Sequence, residues 1–190
     1  MKDRLMRAFV AVDAPGGDYL VRLQKEIISA TGWNQREAKA IEAQNFHFTI
    51  IFLGEITDDD RARIDSGLAS VDFERFPLSY SGVGAFPRPE AARIIWVGVD
   101  ETAGRHLAHL AEKVHSALSP AGFRPDKPFS PHLTIFRIKS ERPLDITAIS
   151  KKYAGDSIAG GMIDSVHLKR SELKSSGPVY SNVYTVEAKK

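Results

Sequence analysis

Apolar residues recur along this chain with two periods, and the places where the period changes mark out an order of elements that runs twice. Arg7 to Asp13 alternates with period two and predicts a strand. From Asp18 to Thr31, Leu20, Leu23, Ile27 and Ile28 follow helical spacing, and Gly32 is a stop signal. Lys39 to Ala43 is a short strand candidate and His47 to Ile56 a longer one. Thr57 or Asp58 caps a helix from Asp59 to about Ser70, with Ile64, Leu68 and Val71 on one stripe. Phe76 to Phe86 reads as extended, ending at Pro87-Arg88-Pro89. The second pass begins with a strand over Ala92 to Asp100. A helix over Thr102 to Leu118 presents Leu107, Leu110, Val114 and Leu118 on one face. The residues from Gly122 to Pro125 form a loop. Further elements are a strand over His132 to Lys139, a helix over Asp145 to Tyr153, and strands over Met162 to Leu173 and Val179 to Ala188.

The two passes echo each other. Setting Asp13 against Asp100 places Phe9 against Trp96, and the next His-bearing strand begins 38 residues after Phe9 and 36 after Trp96. An internal duplication with an α+β fold is expected, its halves related by a pseudo-twofold axis. The whole chain, 1–190, reads as one domain of two interleaved lobes, with residues 1–5 as an N-terminal extension.

Each half carries one tetrapeptide of the same form: His47-Phe48-Thr49-Ile50 and His132-Leu133-Thr134-Ile135, 85 residues apart. In a strand, residues i and i+2 share a face, so each motif sets an imidazole beside a hydroxyl with apolar residues behind. With 6 His in the chain, two chance occurrences have a probability on the order of one in a thousand. The alternative is two ordinary half-buried strands. As a functional pair, two imidazoles in one cleft supply a general acid and a general base.

Composition narrows the chemistry. At 43% apolar and 26% charged residues, the chain reads as a soluble globular protein. With no cysteine it has no disulfide, thiolate nucleophile or Cys-based zinc site. The apolar run from Ala8 to Val12 is too short for a signal core or a membrane span, so a cytoplasmic location is expected. A net charge of +2 does not by itself identify a nucleic-acid binder. Arg124, Lys127, Arg137 and Lys139 do gather around the second motif, as solvated edges or as a rim that attracts phosphate. His106 and His109 form an i, i+3 pair with no third metal ligand in view, and His115 and His167 carry no motif. No metal or other cofactor is expected.

The sequence resembles the two-histidine phosphoesterases, and within them the RNA 2′,3′-cyclic phosphodiesterase branch, also called the 2′-5′ RNA ligase family. The resemblance rests on Met6 to Val12, Asn45 to Gly54 around the first motif, and Gly82 to Pro87. It continues through the strand ending in Trp96, Phe129 to Arg137 around the second motif, Leu168 to Leu173, and Gly177 to Tyr180. The family commonly has Arg before the Pro of the second motif, where this chain has Ser130. Lys174-Ser175-Ser176 is also unlike the family's usual turn.

The resemblance implies a bilobal fold of two antiparallel sheets with outer helices around a central cleft. It implies opening of a terminal 2′,3′-cyclic phosphate on RNA to a 2′-phosphate, with no metal, His47 protonating the departing 3′-oxygen and His132 activating water. Thr49, Thr134 and Arg137 would then hold the phosphate, and Phe9 would stack on a base. From the residues alone, the two histidines' roles are interchangeable, and Phe9 is equally a core aromatic. Arg137 lies five residues beyond His132, on the opposite face of an ideal strand, so it reaches the phosphate only if a bulge or twist intervenes. The expected partners are RNA ends, with no membrane, and the chain is expected to be a monomer. Alternatives are ligation or hydrolysis of another 2′-linked nucleotide, and RNA binding without turnover.

Overall fold

In the computed structural model, which describes residues 5–175 and 177–189, the alternating segments pair into two antiparallel sheets. Met1–Arg4, most of the expected extension, lie outside the described residues, as do Ser176 and Lys190. The elements in chain order are β1 (Met6–Asp13), α1 (Gly17–Thr31), β2 (Ala38–Ala40), β3 (His47–Ile56), α2 (Asp58–Ala69), β4 (Phe76–Phe86), β5 (Ile94–Val99) and α3 (Glu101–Leu118). They continue with β6 (Leu133–Ile138), α4 (Thr147–Lys152), β7 (Ser157–Ile163), β8 (Ser165–Lys174) and β9 (Gly177–Glu187).

The first sheet has the order β3-β1-β8-β9 and the second β2-β6-β5-β4-β7. The two halves exchange their closing strands. β4 follows the first half in the chain but pairs with β5 of the second. β8 follows the second half and pairs with β1 of the first. The duplicated α+β architecture is therefore interleaved across both sheets.

The helices sit where their apolar stripes predict. α1 buries Leu20, Leu23 and Ile27, and α3 buries Leu107, Leu110, Ala111, Val114 and Leu118. These join one continuous core with the buried strand faces. Thr57 is the cap of α2, in a reciprocal capping box with Asp60.

The first sheet is strongly curled. β3 and β9 are its two edges, yet the Asn45 side-chain amide donates to the Pro178 carbonyl at 3.3 Å. The Tyr180 ring stands 5.3 Å from that of His47. This curl brings β9 over the first motif.

Three expectations need correction. The strand expected over 39–43 spans only Ala38–Ala40, against β6. The single strand expected over 162–173 is broken at Asp164, and its parts belong to different sheets. Its first part, β7, begins at Ser157, ahead of the expected start at Met162. β7 is a mostly exposed edge strand with Gly160 and Gly161, so it lacks the buried–exposed alternation that marks a strand in sequence.

Candidate active site

Both motifs contain a bulge at the same place. Between β1 and β3, Ala11 pairs with Thr49 and Val10 with Ile51, leaving Ile50 outside the ladder. Between β5 and β6, Trp96 pairs with Thr134 and Ile95 with Phe136, leaving Ile135 outside. In each case the extra residue is the fourth of the motif. A bulge shifts the alternation by one, so the faces exchange beyond it. Ile50 and Ile51 are consecutively buried, and so are Ile135 and Phe136. Phe52 and Arg137, each five residues beyond its histidine, then emerge exposed on the histidine's side. The condition set by the sequence for Arg137, an intervening bulge, is present.

The two imidazoles are held alike. His47 Nδ1 meets the Asn45 carbonyl at 2.7 Å, and His132 Nδ1 meets the Ser130 carbonyl at 2.7 Å. A carbonyl only accepts, so Nδ1 carries the hydrogen and Nε2 is the atom left for chemistry. Each ring also has an aromatic edge-on to it: Tyr180 at 5.3 Å for His47, and Phe86 at 4.9 Å for His132. A second ring lies close to each, Phe9 at 5.0 Å from His47 and Trp96 at 6.4 Å from His132. Trp96 has room because it faces Gly84, where a Cβ would stand 2.3 Å from the indole.

Thr49 and Thr134 are half-buried on the same faces as their histidines. Among the described residues, neither hydroxyl has a protein partner. Phe9 is only 4% exposed, enclosed by His47, Phe52 and Tyr180. It is a core aromatic beneath the first histidine, and a base has no face of it to stack on. Phe52, 73% exposed and 6.1 Å from Phe9, is the accessible ring.

The two sheets come together beside the motifs. Lys39 pairs with Arg137 across β2 and β6, and its Nζ stands 3.0 Å from where a Cβ on Gly177 of β9 would lie. Arg137, from the second motif strand, is close enough for its charge to act on His47, from the first. Beside His47, Asp13 pairs with Lys169 at 2.7 Å and approaches His167 Nε2 at 3.4 Å. Lys169 is 6% exposed and also donates to Asn182 at 2.6 Å. This buried polar group carries no sequence motif and shows only when the strands are registered.

Burial pushes the His47 imidazole down to about 4. The Asn45 carbonyl and Asp13 oppose that shift, while Lys169 and Arg137 reinforce it. Burial lowers His167 as well, partly offset by Asp13. His106 and His109 line a separate cavity beside α3, together with Asp72, Arg75, Phe76 and Lys113. Among the described residues, no group of three His, Asp or Glu side chains is arranged to hold a metal ion, and no helix is long and apolar enough to cross a membrane.

A duplicated α+β chain with one His–Thr strand motif in each half has the form of a two-histidine phosphoesterase. The chain belongs to the LigT-like phosphoesterase family, whose model matches it twice in succession, over residues 10–96 and 97–180. The double match follows the duplication. The chain is 38% identical to the RNA 2′,3′-cyclic phosphodiesterase of Archaeoglobus fulgidus, across 96% of this chain and 100% of that one. It is 41% identical to the protein of the same name from Aeropyrum pernix, across 79% of this chain and 86% of that one. Its fold is similar to that of E. coli LigT solved in complex with 3′-AMP, with a TM-score of 0.74, 19% identity, and coverage of 98% of this chain and 100% of that one. It is also similar to TT0787 of Thermus thermophilus, with a TM-score of 0.70, 26% identity, and coverage of 96% of this chain and 97% of that one.

Proposed function

We propose that this chain is an RNA 2′,3′-cyclic phosphodiesterase that works by paired imidazole catalysis without a metal. The observation that carries the reading is the matched presentation of the two histidines, each fixed through Nδ1 at 2.7 Å with Nε2 left for proton transfer. A neutral Nε2 takes a proton from water as the water oxygen bonds to phosphorus. The opposite P–O ribose bond breaks, and the departing oxygen takes a proton from the other, charged imidazole. Thr49 and Thr134 donate to the non-bridging oxygens, and Arg137 offsets the charge that builds on them. Phe52 offers its face to the base of the terminal nucleotide. The names of the relatives support the substrate class. We further assign the activity to a monomer in the cytoplasm, a compartment with which the cysteine-free sequence agrees.

By family resemblance His47 is the acid, next to the 3′-oxygen, and the product carries a 2′-phosphate. That role requires the substrate's anion, because an adjacent negative charge raises an imidazole pKa that burial holds near 4. A second reading follows from the free protein, in which His47 is neutral and suited to be the base. With the ribose reversed in the groove, the product would then be a 3′-phosphate.

The deciding experiment supplies an oligoribonucleotide ending in a 2′,3′-cyclic phosphate, with EDTA present, and identifies the product end. Turnover to a 2′-phosphate is expected. Abolition by EDTA with recovery on adding a divalent ion would overturn the metal-free mechanism. An untouched cyclic phosphate alongside cleavage of a linear 2′-5′ oligonucleotide would move the assignment to that substrate.

A further inference from the structure

Each motif bulge is held from the opposite half of the chain. A bulged residue loses its partner on the strand across the bulge, and any further donor that meets its buried carbonyl helps to fix it there. Ile135, in the second half, finds one in the first: Gln24 of α1 donates its side-chain amide to the Ile135 carbonyl at 2.8 Å and to the Ile41 carbonyl at 2.9 Å. On the β2 side the same carbonyl keeps its strand partner, the Ile41 N–H at 2.9 Å, so Gln24 is a second donor that ties the bulged residue to α1. Ile50, in the first half, finds its donor in the second: His115 of α3 donates Nε2–H to the Ile50 carbonyl at 3.2 Å.

Both donors interrupt apolar helix faces. Gln24 is 5% exposed among Leu20, Leu23 and Ile27, and His115 follows Val114 on the helix that also buries Leu110, Ala111 and Leu118. Burying an amide among these side chains is unfavourable unless it is bonded, and the carbonyls it bonds are those of the bulge and the adjoining chain. The two helices use different residue types for one task, and each reaches across to the motif it does not precede in its own half.

We propose that Gln24 and His115 are positioning residues: they fix the bulges at Ile135 and Ile50, and so keep Arg137 and Phe52 on the histidine side of their strands. Each half of the chain thereby sets the geometry of the other half's motif. The proposal rests on the reading of this groove as a cyclic phosphodiesterase site. A purely structural hydrogen bond would affect the melting temperature and leave the communication with Arg137 and Phe52 absent.

The test is a double-mutant cycle on a cyclic-phosphate-ended dinucleotide, with melting temperature followed in parallel. Gln24→Met is expected to lower kcat/KM about tenfold in the wild-type background. In an Arg137→Met background it should cost less than about twofold, because the residue it positions has gone. The same tenfold loss in both backgrounds would overturn the proposal. On the other side, His115→Leu should lose about tenfold and His115→Gln should stay within about twofold of wild type, since glutamine is the donor the opposite half uses. His115→Gln falling as far as His115→Leu would also overturn it. If the wild-type chain leaves the substrate untouched, the site reading fails on its own. Side-chain NMR then decides the positioning role: Gln24→Met should shift the Arg137 Nε signal and His115→Leu the Phe52 ring signals, and unmoved signals would overturn it.

Discussion

Arg137 and Phe52 hold the same place in the two halves of the chain. Each stands five residues beyond its motif histidine, and each reaches the histidine's face because one buried isoleucine has left the ladder. The duplication has kept the backbone event and changed the side chain. One side of the groove gained a cation and the other an exposed ring. A terminal nucleotide needs both, since its phosphate calls for charge and its base for a flat apolar surface.

The two substitutions should therefore separate kinetically. Arg137→Met is expected to lower kcat by about 10²–10³-fold, the usual cost of removing one preorganised donor from a developing oxyanion. Phe52→Ala should raise KM, by about fivefold or more for a stacking contact worth roughly 1–3 kcal/mol, with kcat much less affected. Steady-state kinetics on a dinucleotide cyclic phosphate will show the split. A Phe52→Ala variant with unchanged KM would remove that ring from the base site.

His47→Ala and His132→Ala should each reduce turnover by about 10²–10⁴-fold, and the double variant should be little worse than either. The comparison is made on folded protein, with circular dichroism and melting temperature as controls. Each variant removes a ring that has two aromatic neighbours, but the His132 ring is the more exposed, so the melting temperature should fall further for His47→Ala. Near wild-type turnover in either single variant would end the paired role.

Much of this was legible in the sequence, for physical reasons that also mark where legibility stops. The motifs could be read because a strand's period of two turns spacing into facing. The helices α1 and α3 could be read because their leucines and isoleucines keep a period near 3.6. The curl that lays Tyr180 over His47 could not, because it joins two edges of a sheet 133 residues apart in the chain. Phe9 showed only as an aromatic on a strand, and its burial depends on three rings contributed by two other strands. The bulge in β6 left a trace, the adjacent apolar pair Ile135-Phe136 in a strand that otherwise alternates, whereas in β3 the run Ile50-Ile51-Phe52-Leu53 is apolar throughout and a second register shift follows at Leu53. Phe52 sits inside that run, so only the registered strands show that it emerges as the counterpart of Arg137.

Acid stability should carry the mark of His47. Its folded pKa, about 4, lies below the ordinary value near 6.5, so between these pH values the unfolded chain binds more protons than the folded one. The stability contributed by keeping the ring neutral is complete above about pH 6.5 and is lost as pH falls towards 4. His167, also lowered, adds a slope of the same sign. Urea unfolding at a series of pH values should show stability declining through this window, and a His47→Gln variant should decline less steeply. An equal slope in the variant would place the ring in a more solvated setting than the structure gives it.

Rate and product together test the division of labour. If one imidazole must be neutral and the other charged, the rate is bell-shaped in pH, with limbs that belong to the pair rather than to either ring. In the free protein, NMR should find His47 neutral down to about pH 4. Binding a nucleoside 2′-phosphate should raise that value, because the anion favours the charged ring. The acid assignment for His47 depends on this rise being large enough to leave the ring protonated near neutral pH in the complex. A 2′-phosphate product together with a raised His47 pKa supports His47 as the acid and His132 as the base. A 3′-phosphate product with His47 still neutral in the complex would exchange the two roles, with the neutral, buried imidazole taking the proton from water and the more exposed one giving a proton to the departing oxygen. A rate that climbs without a limit into alkaline pH would rule out both arrangements, since neither survives the loss of its charged imidazole.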